Sequence, residues 1–432
     1  MKSIYLQEES SADAAVRPSI GEQRRAVTAG MVGYVLEWFD FGVYGFLATI
    51  IAKNFFPSHD ELTSLLASFG VFGVGFVARP LGSVIFGRIA DKFGRHTTLA
   101  TTMILMAVSS TAIGLLPTYE SLGIAAPILL ILARLAQGFS AGGEWGTAAT
   151  FLVEWGGSKR RGFFGAFQQS SIACGLLLGS GAVAVLSSML SPEALTSWGW
   201  RLPFLVGALL GPVGWYVRRR VQESPVFVHS EEHVQTSRTQ FLKAIFHGFS
   251  FLIFWSVSSY MVAVFMPSFA ITYGHISRPV ALWSGTASLA LVVVAAPLAG
   301  ALSDRIGRKP LLVFSCVFFV FLSYPLYRFI VSGLSDAEYI AVQLLMNLIF
   351  VLYSGAGPAS LAELFPTRLR STGVSVGAGL AGIFGGFSPF LTTWAVSISG
   401  SGATAGWLLT ASALFTLPAL LAMQDRARHG HI

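Results

Sequence analysis

The chain has 432 residues, 53% of them hydrophobic and only 11% charged, where a soluble domain carries about 25% charged residues. The charges sit in short polar connectors between long apolar stretches, a distribution that excludes an ordinary water-soluble domain and implies that lipid is the solvent. The net charge of +7 belongs to those connectors; no basic patch interleaved with aromatics stands apart from them, so nucleic acid is not an expected partner.

In chain order, residues 1–26 form a polar tail that contains Glu8, Glu9, Asp13, Arg17 and Arg24 and has no apolar core of a cleavable signal peptide. A helix needs about 20 apolar residues to cross the hydrocarbon layer. Six such stretches occupy 27–217: Val27–Ala52, Leu62–Ile89, Thr97–Leu116, Ala125–Val153, Phe163–Leu190 and Leu202–Val217. The last is short and contains Gly211 and Pro212. A polar connector at 218–244 is read as a linker without a ligand motif. Six more stretches fill 245–423: Ile245–Thr272, Val280–Leu302, Leu311–Val331, Glu338–Ala362, Thr372–Ile398 and Ala405–Met423, followed by a tail at 424–432. None alternates with a two-residue period, which excludes a membrane β-barrel. The expected fold is therefore an all-α membrane protein of twelve spans.

Lysines and arginines crowd the two tails and the loops after even-numbered spans, whereas the other loops carry only Lys53, Arg201, Arg278 and Arg328. Basic loops stay on the cytoplasmic side, so both termini are expected there, in a bacterial-type inner membrane. Cys174 and Cys316 fall inside predicted helices and read as inert thiols rather than a disulfide.

Two loops repeat. Gly87-Arg-Ile-Ala-Asp91-Lys-Phe-Gly94-Arg95 follows the second span, and Gly300-Ala-Leu-Ser-Asp304-Arg-Ile-Gly307-Arg308 follows the eighth. At nearly the same offset, the spacing from Glu154 to Arg161 returns as Glu363 to Arg370. A six-helix unit duplicated in one orientation suits alternating access, with a substrate site between the halves. The repeated Asp and Gly spacing points to a conformational latch in which Asp91 and Asp304 pair with Arg95, Arg308 and the two Glu/Arg sets. Topology alone would need the arginines but not the aspartates.

These loops resemble those of the major facilitator superfamily. Leu36-Glu-Trp-Phe-Asp-Phe41, Arg79-Pro-Leu-Gly, Arg134-Leu-Ala-Gln-Gly with Gly142-Gly-Glu-Trp-Gly146, and Trp198-Gly-Trp-Arg-Leu-Pro-Phe204 further resemble its metabolite/proton symporter family, carriers of citrate, 2-oxoglutarate, shikimate, proline or betaine. Ala48-x-x-Ile-Ala-Lys-Asn-Phe-Phe-Pro57 and Ile383-Phe-Gly-Gly-Phe-Ser-Pro389 are similar to the citrate or tricarballylate branch.

Five ionisable residues fall within spans: Glu37, Asp40, Arg79, Arg134 and Glu144. Each costs about 2.5–3.5 kcal/mol or more at a helix centre and needs a partner or water. Glu37 and Asp40 share a face of the first span with Tyr34 and Tyr44 close by, and Gln137 and Glu144 share a stripe of the fourth. Arg79 either reaches the interface or serves as a second cation in the cavity. By resemblance to sugar/proton symporters, Asp40 in span one and Arg134 in span four form the coupling site, Arg134 taking the anion while Asp40 takes the proton. In the second half, Tyr260, Tyr273, Gln343, Asn347 and Tyr353 are the polar and aromatic candidates, with His275 near an external helix end.

No Walker loop, H-E-x-x-H motif or nucleophile elbow is present, so neither an enzyme nor a metal or nucleotide cofactor is expected; the proton gradient is the expected energy source. The expected function is proton-coupled import of a di- or tricarboxylate by a monomer, with two arginines holding the anion. The alternatives are import of a zwitterion such as betaine or proline, or of a shikimate-like acid, and proton-driven export. Betaine carriers of this family often extend into a C-terminal coiled coil, and the chain's end soon after Met423 weighs on the sequence side against osmosensing.

Overall fold

In the computed structural model the described residues are 20–93, 95–142, 160–209, 211–212, 238–364 and 367–423; within them, side chains are not described at 20–30, 33, 87–88, 90–100, 238–244 and 362–376. Every regular element among the described residues is helical.

Span 1 is Ile20–Phe46 continued by Ala48–Phe55, the two pieces bent by 63° at Leu47. Span 2 is Glu61–Val77 with Arg79–Phe93, span 3 Arg95–Leu115, span 4 Ala125–Ala141 and span 5 Arg161–Gly165 with Phe167–Met189. Span 6 begins with Arg201–Val206. Span 7 runs through Arg238–Ser258, a π-helical turn Ser259–Phe265 and Met266–Tyr273. Spans 8 to 12 are Arg278–Ile306, Arg308–Val331, Asp336–Leu364, Thr367–Ser399 and Gly406–Ala422. Among the described residues, eight helices are individually long and apolar enough to cross a membrane, and the bent first span makes nine. Spans 3 and 4 offer the shorter apolar helices Thr101–Leu115 and Ala125–Ala141.

Several spans outrun their apolar windows. Span 11 starts at Thr367 rather than Thr372, and span 8 at Arg278 rather than Val280. Backbone hydrogen bonding continues past the last apolar residue, so 29-residue span 8 is about 43 Å long at 1.5 Å per residue, beyond the ~30 Å hydrocarbon layer. Pro297, Pro325, Pro358, Pro389 and Pro418 lie inside spans, where neighbouring helices can take up the freed backbone groups. Large apolar side chains such as Val108, Val294, Leu298 and Phe321 point outward, as a lipid-facing surface requires.

Among the described residues the halves meet where span 5 lies against spans 8 and 10, span 2 against span 11, and span 1 against the π-helical turn of span 7. Spans 2 and 11 interlock, with Phe387 lying on Gly73 and Phe76 on Gly386; a Cβ at either glycine would overlap the ring. Elsewhere between the halves, Val264 covers Gly45, Phe265 meets Phe69 edge-on at 5.2 Å, and Arg278 Nη1 donates to Thr49 Oγ1 at 3.2 Å.

Candidate functional site

Among the described residues, two charged sites lie within the first half. The deeper one is Asp40, Gln137 and Arg134, all wholly buried. Arg134 Nη1 donates to Gln137 Oε1 at 2.8 Å, and Gln137 Nε2 donates to Asp40 Oδ2 at 2.8 Å and to Ser110 Oγ at 2.7 Å. Arg134 Nη2 also donates to the Phe72 carbonyl at 3.3 Å. The expected partners are therefore brought into one network, but Gln137 stands between them and carries the connection. Gln137 is three residues beyond Arg134, so its long side chain closes the angular gap that separates their stripes on span 4. The arginine also lies over the rings of Tyr44 at 4.6 Å, Phe41 at 4.9 Å and Phe72 at 5.3 Å.

The second site is Arg79 with Glu37, 3.9 Å apart. Arg79 does not reach for the interface. Its guanidinium carbon sits 4.3 Å from the Phe76 ring centre, 4.5 Å from Phe41 and 5.6 Å from Trp38. Such contacts contribute about 0.5–2 kcal/mol each and partly offset the cost of holding a cation away from water.

Spans 2 and 4 bring these arginines close because glycine faces glycine where they cross. A Cβ at Gly138 would overlap the Gly75 carbonyl, and one at Gly142 the Arg79 carbonyl. Ser83 Oγ ties the crossing, its one proton within reach of both the Arg79 carbonyl at 3.0 Å and the Gly142 carbonyl. Small residues at such contacts let backbones touch.

Between the halves lies a cavity of about 60 Å³. Trp38, Arg79 and Ser83 line it from the first half, and Trp255, Ser256 and Tyr260 from the second, with Gly379 and Gly382 of span 11 opposite. Tyr260 comes from the π-helical turn and packs against Phe76 at 4.9 Å, Phe72 at 5.7 Å and Trp38 at 6.1 Å. Gln343 Nε2 donates to the Val262 carbonyl at 3.1 Å, satisfying a backbone group of that turn, and accepts from Tyr339.

Of the residues expected to bind substrate, Arg79 and Tyr260 line this cavity. Arg134, Gln137, Gln343 and Asn347 are buried elsewhere, and the Tyr44 hydroxyl donates to the Ser68 carbonyl at 3.1 Å. Tyr34 accepts from Gln168 at 3.5 Å. Tyr353 donates to the Phe251 carbonyl within the second half. Glu144 lies outside the described residues. The aromatic residues Trp38, Phe41, Phe76 and Trp255 were absent from the sequence-derived set; Trp38 and Phe41 flank Asp40 in the very motif that carried the family resemblance, at a three-residue spacing that puts both on one face.

The second-half loop motif reaches across to the first half. Asp304 pairs with Arg308 at 2.8 Å, and its two carboxylate oxygens also accept the Gly162 and Phe163 backbone N–H groups at 2.9 Å each. Those groups open span 5, where amides lack intrahelical partners and negative charge is favourable. Asp304 therefore joins the two halves. Gly162 and Gly300 touch backbone to backbone beneath it, and Gly307 turns the chain at φ 96°, a conformation costly for any residue with a Cβ. Arg161 opens span 5 beside it. The remaining latch positions, Gly87, Asp91, Gly94, Arg95, Glu154, Glu363 and Arg370, lie outside the residues whose side chains are described.

The family model described as "Sugar (and other) transporter" matches residues 26–245 and 231–423. The chain belongs to that family. It is a multi-pass membrane transporter for small molecules, not an enzyme. The glycine betaine/proline/ectoine/pipecolic acid transporter OusA of Dickeya dadantii is 36% identical over 395 residues, covering 88% of this chain and 79% of the relative. The citrate-proton symporter of Klebsiella pneumoniae is 32% identical over 408 residues, covering 91% and 90%. Among solved structures, the major facilitator proton:xylose symporter XylE superimposes with a TM-score of 0.74 over 93% of this chain and 95% of that one. At 16% identity this likeness speaks for the twelve-span fold alone.

Proposed function

We propose that this transporter imports small zwitterions of the betaine and proline kind together with protons, by alternating access, across a bacterial inner membrane with both termini in the cytoplasm. The observation that carries the reading is the charge of the cavity. Arg79 is the arginine that lines it, and Glu37 stands 3.9 Å behind. Their sum is near zero, which suits a zwitterion and leaves a trivalent anion mostly uncompensated. Arg79 offers a fork for a carboxylate, while Trp38, Trp255 and Tyr260 offer π faces to a quaternary or secondary ammonium.

The tricarboxylate expectation counted on two arginines at the ligand, and burial of Arg134 behind the aromatic wall weakens it. The substrates in the name of the Dickeya relative support the zwitterion reading, while the Klebsiella relative keeps citrate as the second reading. In either case Asp40 is the proton carrier and the proton gradient the energy source, with no cofactor.

The test is uptake by proteoliposomes under an imposed inward proton gradient, with glycine betaine, proline and citrate as alternatives. Gradient-dependent accumulation of betaine or proline, lost in Arg79→Gln, supports the proposal. Accumulation of citrate alone would replace the substrate, and accumulation indifferent to the gradient would remove proton coupling.

A further inference from the structure

The two charged sites share one ring. The Arg79 guanidinium carbon is 4.5 Å from the centre of Phe41 and that of Arg134 is 4.9 Å from it. Phe41 is 1% exposed and follows Asp40 directly in the chain. Phe72 and Phe76 complete the wall, with Phe41 and Phe76 5.3 Å apart and Phe72 and Phe76 5.4 Å apart. On one side of this wall lies the cavity, lined by Arg79 and Trp38; on the other lie Arg134, Gln137 and Asp40, which the cavity does not reach. A ligand in the cavity therefore cannot touch the buried carboxylate.

We propose that Phe41 is the positioning residue that couples cavity and carboxylate, because two guanidinium groups compete for its ring and a carboxylate drawn to Arg79 is thereby felt at Arg134 and Asp40. The proposal deepens the reading of a proton-coupled carrier and rests on it where cargo is concerned. An aromatic face attracts a cation by about 0.5–2 kcal/mol, and two like charges beside one ring oppose each other. When a ligand carboxylate neutralises or withdraws Arg79, the ring is left to Arg134 alone. Arg134 then shifts against Gln137, its only side-chain hydrogen-bond partner among the described residues, and Gln137 holds Asp40. The groups that act directly on Asp40 are Arg134 and Gln137 of span 4; Ser110 of span 3 accepts from Gln137, while Arg79 of span 2, Tyr260 of span 7 and Tyr44 of span 1 act on Arg134, Glu37 of span 1 stands beside Arg79, and span 6 brings Gly207 close to the Asp40 Oδ1. Any influence of ligand on proton must be returned as an equal influence of proton on ligand.

The ring's role is separable from that of the substrate. Trp38 stands 6.4 Å from Phe41 on the cavity side and serves as a reporter. In ligand-free protein, the part of the tryptophan fluorescence lost in Trp38→Phe is followed against pH in wild type, Asp40→Asn, Phe41→Leu and Phe41→Tyr. The expected result is a titration of the Trp38 signal that disappears in Asp40→Asn and in Phe41→Leu and persists in Phe41→Tyr. A Trp38 titration undiminished in Phe41→Leu, or one that Asp40→Asn leaves intact in wild type's form, overturns the proposal. Glycine betaine is then added: its affinity should vary about 5-fold or more with pH in wild type and less than about 2-fold in Phe41→Leu. Absence of betaine binding beside an intact Asp40-dependent Trp38 titration would end the substrate reading while leaving the role of Phe41 standing.

Discussion

Replacing Gln137 by Leu isolates the bridge between the two buried charges. Gln137 is wholly buried and holds Arg134 at 2.8 Å through its carbonyl and Asp40 at 2.8 Å through its amide. A hydrogen bond to a charged group contributes about 1.5–3 kcal/mol, so the two together amount to about 3–6 kcal/mol. Leucine fills similar volume and offers neither bond. Part of the loss returns if Arg134 and Asp40 close on each other directly. That outcome also ends the bridged arrangement, since a directly paired Asp40 resists protonation. Even 3 kcal/mol corresponds to a roughly 150-fold change in the balance between bridged and unbridged forms. In proteoliposomes, Gln137→Leu should lose uphill accumulation while retaining downhill exchange. A correctly folded Gln137→Leu protein that accumulates substrate to the wild-type level would refute the bridge.

Removing the cross-half acceptor with Asp304→Ala leaves the Gly162 and Phe163 amides uncapped, a loss of about 0.5–2 kcal/mol by analogy with helix caps, or roughly 2- to 30-fold in the population of the joined state. Spin labels on the adjoining ends of spans 5 and 8 should show the longer distance gaining weight; an unchanged distribution would contradict the latch. Asp60 caps span 2, and the Thr63 hydroxyl together with the Leu62 and Thr63 amides holds its carboxyl below the ordinary carboxylate range. Because the folded form is the stronger acid, its contribution is present above the ordinary carboxylate pKa and fades as pH falls through the lowered one. Asp60→Ala should therefore lower the melting temperature at neutral pH, with the difference from wild type shrinking in acid; a difference that grows in acid would contradict the cap.

Hydropathy made the spans legible because lipid demands long apolar helices, and the repeated Asp304 motif stood out because topology alone has no use for an aspartate. The bend of span 1 at Leu47 and the π-helical turn around Tyr260 have no such signature: both arise where side chains of other spans, such as Gln343, take over backbone groups. Asp40 and Arg134 could be matched from span order, but the bridging by Gln137 depends on the rotation of span 4 against span 1. That rotation is set by the glycine contact between Gly75 and Gly138, which carries no charge or periodicity to read. Arg79 was ambiguous for a related reason. Its place is decided by three rings from spans 1 and 2, and rings in a membrane protein pass as ordinary core.

The claim beneath the rest is that a buried acid, kept apart from the cavity, carries the proton that drives the cargo. Asp40→Asn tests it most directly, in proteoliposomes given glycine betaine and an inward proton gradient. The variant should exchange betaine across the membrane yet fail to concentrate it. Gradient-driven concentration of betaine by Asp40→Asn, equal to that of the wild type, would contradict the account.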